Sequence, residues 1–575
     1  MIGYVCKYTP VELLSALSAD PVRVEPRVAS FNEADAYMHP NVCSYAKAVL
    51  EDIDSRGYEG IVFTTCCDSI RRLHDTCKVL YPEKFVYLLD LPRKVDDASV
   101  MLFARRIEDL LQRYRQFSGH EFNRSCLIDL LVSQHAGKMR QKGAGQRAAE
   151  RPRVGVVGAR YSAEISRILN DNGVDVSFDI TCLGAQRTVG MSYEQLEALD
   201  DHALIACYAR ALLEQLPCMR MDDIATRDAF LEQQAKRVNG IVYHTMKFCD
   251  IYSYEYAFIH SRFDIPVLKI ETDATAQSSG QIRTRVEAFA ETLKTARGIA
   301  SAAAPVNRKQ GEKMYVLGID SGSTSTNAAV LDESRNLVAS RVIRTGARAT
   351  SSAERVVQEV LDEAGIARED VSLIVSTGYG RVSVDFADLD VTEISCHGKG
   401  AWYFNPEVRT ILDIGGQDSK AIRLDENGEV ADFAMNDKCA AGTGRFLEAM
   451  ARTLEVGIEE LGPLSQRSER HVEISSMCTV FAESEVISLI ANDTDKADIA
   501  HGVHEAIAGK ACSLLRRVKP EPVYMMTGGV AKNLGVVEAV EAALGEALYI
   551  CDEPEIVGAV GAALIGLESL EGAQE

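Results

Sequence analysis

Short apolar, β-branched runs alternate with amphipathic stretches through the first half of the chain. GIVFTTC is followed by DSIRRLHDTCKVL, VGVVGA by SAEISRILNDNG, and GIVYHTMKFC and IPVLKIETD come later. That alternation predicts parallel sheets with helices on both faces, in which ligands gather at the carboxyl ends of the strands. Two polar, small-residue breaks, Ser133–Arg153 and Gly298–Lys313, are each followed at once by an apolar run, VGVVG and MYVLGID. They predict α/β domains over 1–135 and 150–297, a linker over 298–313 and a further domain over 314–570.

The second half repeats a different pattern. GIDSGSTSTNAAVLD (Gly318–Asp332) reads as a strand ending in Asp320, a turn of glycine, serine and threonine, and a returning strand. Its backbone N–H groups and hydroxyls suit phosphate, and the Asp320 carboxylate suits Mg²⁺ held through water. TILDIGGQDSKAI (Thr410–Ile422) repeats strand, Asp413, two glycines and a polar return. PVYMMTGGVAKNLGVVEAV (Pro522–Val540) adds a strand, a double glycine and a helix, and STGYGR (Ser376–Arg381) sits where a further strand-end turn is expected. No lysine-bearing P-loop occurs, so nucleotide binding rests on glycine turns and Mg²⁺.

Composition narrows the classes. Acidic residues number 84 against 62 basic, a net charge of -22, which argues against a nucleic-acid surface. The N-terminus lacks a basic region followed by an apolar core, and no apolar run is long enough to span a bilayer. A soluble, cytoplasmic protein with no membrane or nucleic-acid partner is expected. Of the 15 cysteines, ten lie before residue 300. In a reducing compartment these are metal ligands, reactive thiols or buried residues rather than disulfides. Cys66 and Cys67, Cys182 and Cys249 all follow apolar runs. No CxxC pair occurs, which weakens a zinc ribbon or finger, whereas scattered thiolates suit an iron–sulfur cluster.

Two further cysteines precede amphipathic stretches: Cys439 in NDKCAAGTGRFLEAM and Cys478 in SSMCTVFAESEVISLI. A helix N-terminus stabilises a thiolate and makes it a better ligand or nucleophile. A catalytic thiol finds no histidine in either motif, His471 being the nearest to Cys478. Two cysteines are too few for a four-iron cluster, but two copies of the domain sharing one cluster across a twofold axis supply four.

From Gly3 to Ala290 the chain resembles the 2-hydroxyacyl-CoA dehydratase subunits and the double-cubane cluster proteins. The carriers are HPNVCSYAKAVLE, TTCCDSIRRLHD, DITCLGAQR, PCMRMDD, YHTMKFCDIYSYE and GQIRTRVEAFAE. The resemblance implies a set of cluster ligands: Cys43, Cys249 and one of Cys66 or Cys67, with Cys182 and Cys218 as additional ones. The cofactor would be a single [4Fe-4S] cluster or an [8Fe-9S] double cubane. The double cubane takes six ligands only if both Cys66 and Cys67 take part; Cys6, Cys77, Cys126 and Cys207 remain reserves or core residues.

The second half is similar throughout to the ATP-dependent activators of these dehydratases and of benzoyl-CoA reductases, with the two-lobed fold of actin, sugar kinases and heat-shock chaperone ATPases. The resemblance implies ATP and Mg²⁺ as cofactors, bound by the turns Gly318, Asp320, Ser321, Gly322, Ser323 and Thr324, and Gly415, Gly416, Gln417 and Asp418. Gly528, Gly529 and Asn533 would take the nucleoside side, and Asp320, Asp413 and Gln417 would be catalytic. It further implies a [4Fe-4S] cluster bridged in a homodimer by Cys439 and Cys478 of each subunit, and a low-potential donor such as ferredoxin or flavodoxin. The whole then reads as an ATP-dependent iron–sulfur reductase of a small molecule. The alternatives are a dehydratase component with a fused activator, or an ATP-gated redox sensor or scaffold.

Overall fold

The computed structural model describes residues 1–141, 151–161, 163–182, 189–275, 279–296, 314–346, 348–436, 440–474 and 479–572. The chain divides into two compact units, Met1–Val286 and Glu287–Glu575. The expected linker over 298–313 lies outside the described residues, as do Cys439 and Cys478.

The first unit holds two four-stranded sheets. One is built from β1 (Ile2–Tyr4), β2 (Pro21–Arg23), β3 (Gly60–Thr64) and β4 (Phe85–Leu89); the other from β5 (Arg153–Gly158), β6 (Asp175–Thr181), β7 (Gly240–Met246) and β8 (Val267–Thr272). All pairings are parallel. The orders β2-β1-β3-β4 and β6-β5-β7-β8 are the same arrangement used twice. β3 and β7 are buried at every position, as central strands covered on both faces must be. The covering helices show the complementary spacing: Asp68–Leu80 buries Ile70, Leu73 and Cys77, and Ala163–Asp171 buries Ile165, Ile168 and Leu169. Each places an apolar stripe against its sheet.

In both sheets the second strand is added on one side of the first and the third on the other, so a crevice opens beyond the carboxyl ends of the first and third strands. The segments leaving these strands carry Cys6 after β1, Cys66 and Cys67 after β3, Arg160 after β5 and Cys249 after β7.

The second unit also uses one design twice. Its strands are β9 (Tyr315–Ser321), β10 (Ser325–Asp332), β11 (Leu337–Arg344), β12 (Val371–Thr377), β13 (Leu389–Asp390), β14 (Thr410–Ile414), β15 (Ser419–Leu424), β16 (Val430–Asn436), β17 (Tyr524–Thr527) and β18 (Leu548–Tyr549). The orders are β11-β10-β9-β12-β13 and β16-β15-β14-β17-β18. In each the first three strands form an antiparallel meander and the last two run parallel to the first. Two sheets of one topology, each with an acid next to the end of its first strand and a glycine-bearing turn after it, define the two-lobed fold of actin, sugar kinases and heat-shock chaperone ATPases. The fold class expected from sequence is thus observed in both units. Among the described residues, no helix is long and apolar enough to cross a membrane.

Candidate functional site

The first unit gathers its thiols. A cavity of ≈ 90 Å³ is lined by Cys6, Cys43, Cys66, Cys67, Cys182, Cys218 and Cys249, with Lys7, Tyr8, Tyr45, Arg160, Arg220 and Tyr252 among the remaining lining residues. All six cysteines singled out in this half from sequence meet there, and Cys6 makes a seventh. Strand ends explain the convergence: Cys66 and Cys67 follow β3, Cys182 follows β6, Cys43 precedes the helix Ser44–Asp52, and Cys249 precedes the helix Asp250–Arg262. Of the other reserve cysteines, Cys77 is core on the helix over β3, Cys207 contacts Met191 Sδ at 3.4 Å, and neither they nor Cys126 line the cavity.

The thiols are hydrogen-bonded to one another. Cys43 pairs with Cys249, and this bond, helped by the N–H groups of Tyr45 and Ala46 at the helix start and by Arg160, brings the Cys43 thiol down to about 7. Its partner Cys249 is correspondingly raised. Cys6 bonds Cys66 and is pushed well above the usual thiol range by that bond and by burial. The backbone N–H of Arg160 donates to Cys182 Sγ at 3.3 Å.

Among the described residues no three His, Cys, Asp or Glu side chains surround a point fit for a single metal ion. Seven thiols facing one cavity instead match the donor set of an iron–sulfur cluster, in which each thiolate reaches a different iron. The residues fit that group and do not fit a lone zinc ion.

The second unit gathers charge. Asp320 is the last residue but one of β9 and Asp413 of β14, and both are buried. Asp320 stands opposite Thr377 of β12, and Asp413 opposite Thr527 of β17. Thr527 Oγ1 donates to Asp413 Oδ1 at 3.0 Å. Between the two acids lies His397, 3.9 Å from Asp320 and 3.8 Å from Asp413. Lys420, next to Asp413 across the β14–β15 pair, is buried with its ammonium 3.1 Å from Asp413, 2.9 Å from Asp418 and 3.5 Å from Glu393. Burial works against its charge, but Asp418, Glu393 and Asp413 outweigh it and hold Lys420 well above its ordinary value.

The acids respond differently. Burial raises Asp320 despite His397 and Lys420. For Asp413 burial is outweighed by His397, Lys420 and Thr527, and its carboxyl falls to about 2. Glu393 is pushed up to about 7 by burial. Lys420 lies inside the motif TILDIGGQDSKAI, in the polar return after the two glycines. Glu393 and His397 sit on the helix Glu393–Phe404, which carries no local motif.

The glycine turns close on the same place. A Cβ on Gly416 would meet Thr324 Oγ1 at 1.9 Å, so the turns of the two lobes touch there and only glycine fits. Ser321 Oγ is buried without a partner, while Ser323, Thr324 and Gln417 are exposed and Gly322, Gly415 and Asp418 are half-buried. An unpaired buried hydroxyl beside open turns fits a phosphate acceptor. Gly318 lies further down β9, where a Cβ would strike Ala559 O at 1.9 Å, so its role is helix packing. Gly528 has φ +85° and its Cβ position lies 2.8 Å from Asp413 Oδ1, and Gly529 faces Glu555. Asn533 Oδ1 caps the helix Leu534–Leu544 by accepting from Val536 N at 3.2 Å. The start of the helix Gly444–Leu454 is tied to the Gly415–Gly416 turn: Gly444 N and Arg445 N donate to Gly415 O and Gly416 O, both at 2.9 Å.

Paired acids, a buried lysine and facing glycine turns between duplicated sheets place the second unit in the class of two-lobed nucleotide-binding ATPases. The chain belongs to the BadF/BadG/BcrA/BcrD ATPase family through residues 317–566 and to the 2-hydroxyglutaryl-CoA dehydratase D-component family through residues 6–131 and 127–293. It is similar to the activator of lactoyl-CoA dehydratase of Anaerotignum propionicum, 47% identical over 258 residues, 45% of this chain and 99% of that protein. It is also similar to the (R)-2-hydroxyglutaryl-CoA dehydratase activating ATPase of Acidaminococcus fermentans, 46% identical over 252 residues, 44% of this chain and 96% of that protein. Among solved structures, the activator of the 2-hydroxyisocaproyl-CoA dehydratase from Clostridium difficile with bound ADPNP is 44% identical, covering 45% of this chain and 97% of its own, with a TM-score of 0.44.

Proposed function

We propose that the chain is an ATP-dependent iron–sulfur reductase, in which hydrolysis in the second unit drives low-potential electrons to a cluster in the thiol cavity of the first, where a small molecule is reduced. The convergence of seven thiols on one cavity, on a chain that also carries the acid-lined cleft, supports this reading above all. The cluster would be an [8Fe-9S] double cubane or a single [4Fe-4S], with Cys6 joining Cys43, Cys66, Cys67, Cys182, Cys218 and Cys249 as candidate ligands. When bound, such a group supplies one-electron chemistry at a potential set by charge and hydrogen bonds around its sulfurs.

Asp320, Asp413 and Asp418 would hold Mg²⁺ through water, with Lys420 fixing the charge of the last two. Ser321, Thr324 and the N–H groups of Gly415 and Gly416 would take phosphate. Gln417, exposed on the turn, would orient the attacking water. Cys439 and Cys478 of two copies would hold the bridging [4Fe-4S] cluster of a homodimer, supplied by a low-potential donor such as ferredoxin or flavodoxin. The D-component family match favours a second reading, a 2-hydroxyacyl-CoA dehydratase component with its activator fused to it.

Anaerobic purification with iron and sulfide counting tests the proposal. About twenty irons per dimer are expected for two double cubanes and one bridging cluster, and about four mean that the thiol cavity holds none. ATP-dependent reduction of the first unit's iron by a low-potential reductant is expected, and its absence rejects the coupling. Loss of water from a 2-hydroxyacyl-CoA, dependent on ATP and catalytic in electrons, would select the second reading.

A further inference from the structure

We propose that Arg160 is the positioning residue that sets the reduction potential of the thiol cavity. The inference rests on the cluster reading above.

Arg160 stands at the carboxyl end of β5 with φ +30°, a left-handed conformation that side-chain-bearing residues adopt only when their surroundings impose it. That backbone turn aims its N–H at Cys182 Sγ. The guanidinium carbon lies over the Tyr45 ring, 3.4 Å from its centroid. Its two terminal nitrogens donate to Val5 O and Val24 O, each at 2.8 Å. Tyr45 donates its own hydroxyl to Val24 O at 2.8 Å. One residue thus ties together the segments bearing Cys6, Cys43 and Cys182, which come from both sheets of the unit.

The partners decide what the charge does. Among the described residues, Arg160 forms no ion pair with a carboxylate; its fork is satisfied by carbonyl oxygens and an aromatic face. No aspartate or glutamate lines the cavity either, whereas Arg160, Arg220 and Lys7 do. Arg220 is likewise held by carbonyls, those of Thr65 and Pro92 at 3.1 and 2.7 Å and that of Leu91. A carbonyl-bound guanidinium keeps its full charge and its fixed fork geometry, and at short range in a poorly hydrated cavity that charge is little screened. A cluster held by thiolates is anionic and becomes more so on taking up an electron. A fixed cation therefore stabilises the reduced state selectively and raises the potential. A mere structural staple would hold the segments equally well without affecting that balance.

The test uses the full chain with Cys439→Ser, so that only iron of the first unit contributes. Arg160→Gln removes the charge and Arg160→Lys keeps it while losing the planar fork. Reductive titration with dithionite, each step adding one electron, is followed by electron paramagnetic resonance, with iron counted in every sample. For Arg160→Gln at full iron content, the ratio of reduced to oxidised cluster at fixed potential should fall at least tenfold, a midpoint at least about 59 mV more negative for one electron. Arg160→Lys should stay within about threefold of the parent. An unchanged midpoint in Arg160→Gln at full iron overturns the proposal. If Arg160→Gln loses its iron, Arg160→Lys decides: iron retained with a near-parent midpoint supports the charge, and iron lost from both leaves Arg160 a staple and overturns it. No iron in the Cys439→Ser parent defeats the cluster reading instead.

Discussion

The two lobes of the second unit place an aspartate at the same point of the same sheet, yet the two acids differ. Asp320 and Asp413 are each the last residue but one of the first strand of a meander and face a threonine on the parallel fourth strand. Across the antiparallel pair, however, Asp320 faces Asn327 and Asp413 faces Lys420. The consequence is a carboxyl above its ordinary range in the first lobe and one at about 2 in the second. Duplication of a sheet repeats the position of a group, while the residue on the neighbouring strand decides its charge. Asp413 is thereby a fixed anion, and Asp320 a carboxylate that gains most from an added cation.

The comparison breaks most visibly at Lys420. Lys420→Met leaves the buried Asp413 and Glu393 and the half-buried Asp418 without their cation, and uncompensated buried charge costs about 3–5 kcal/mol. Trp402, the chain's single tryptophan, lies on the helix Glu393–Phe404 and reports unfolding of this unit by fluorescence in urea. A loss below about 1 kcal/mol, the worth of an exposed pair, would show that Lys420 does not hold the acids.

Next in size is a titration foreign to both acids, which must be separated from theirs. His504 is buried, bonded through Nδ1 to Ser465 Oγ at 2.9 Å, and lowered to about 4 by burial and by His501. The unfolded chain takes up this proton more readily, so the stability it represents is complete above pH 6.5 and disappears as pH falls toward 4. The span corresponds to about 3 kcal/mol, and His504→Gln should flatten that limb of the urea midpoint against pH.

The acids themselves supply the lower limb. Asp413 is lowered, so its contribution is present above its ordinary value of 3.8 and is lost as pH falls through about 2, a change of about 2 kcal/mol. That limb should persist in Asp320→Asn and vanish in Asp413→Asn; equal behaviour of the two variants would remove the asymmetry between the lobes. Smallest is the cap that only the second lobe carries at its fourth strand: Asn533→Ala should cost about 1 kcal/mol, read as a modest drop in melting temperature.

Much of this architecture was legible in the residues because it is written locally. Strand, acid, glycine turn and returning strand are contiguous in GIDSGSTSTNAAV and TILDIGGQDSKAI, so the acids and turns could be read without tertiary information. The cysteines after β3, β6 and β7 were legible for the same reason. Cys6 was not, because β1 spans only Ile2–Tyr4, too short for a period to register. Lys420 lies within its motif, but its partners Asp418 and Glu393 meet it only after the hairpin closes and the helix Glu393–Phe404 packs. His397 and Glu393 belong to a helix whose sequence, EISCHGKGAWYF, shows apolar and small residues and no site. Arg160 was hidden because its backbone turn and carbonyl partners come from three separate strands.

Beneath the cleft, the helices Glu393–Phe404 and Val557–Gly572 cross with almost no side chains between them. A Cβ on Gly400 would strike Val557 O at 2.0 Å, and one on Gly561 would strike Cys396 O at 1.7 Å. Main chain resting on main chain leaves no rotamers to rearrange, so neither helix can shift without carrying the other. His397 and Glu393 ride on one and Gly558, which abuts the Asp320 carboxylate, on the other. The cleft floor is therefore a single keel: His397 and Glu393 on one helix and Gly558 on the other move as one body.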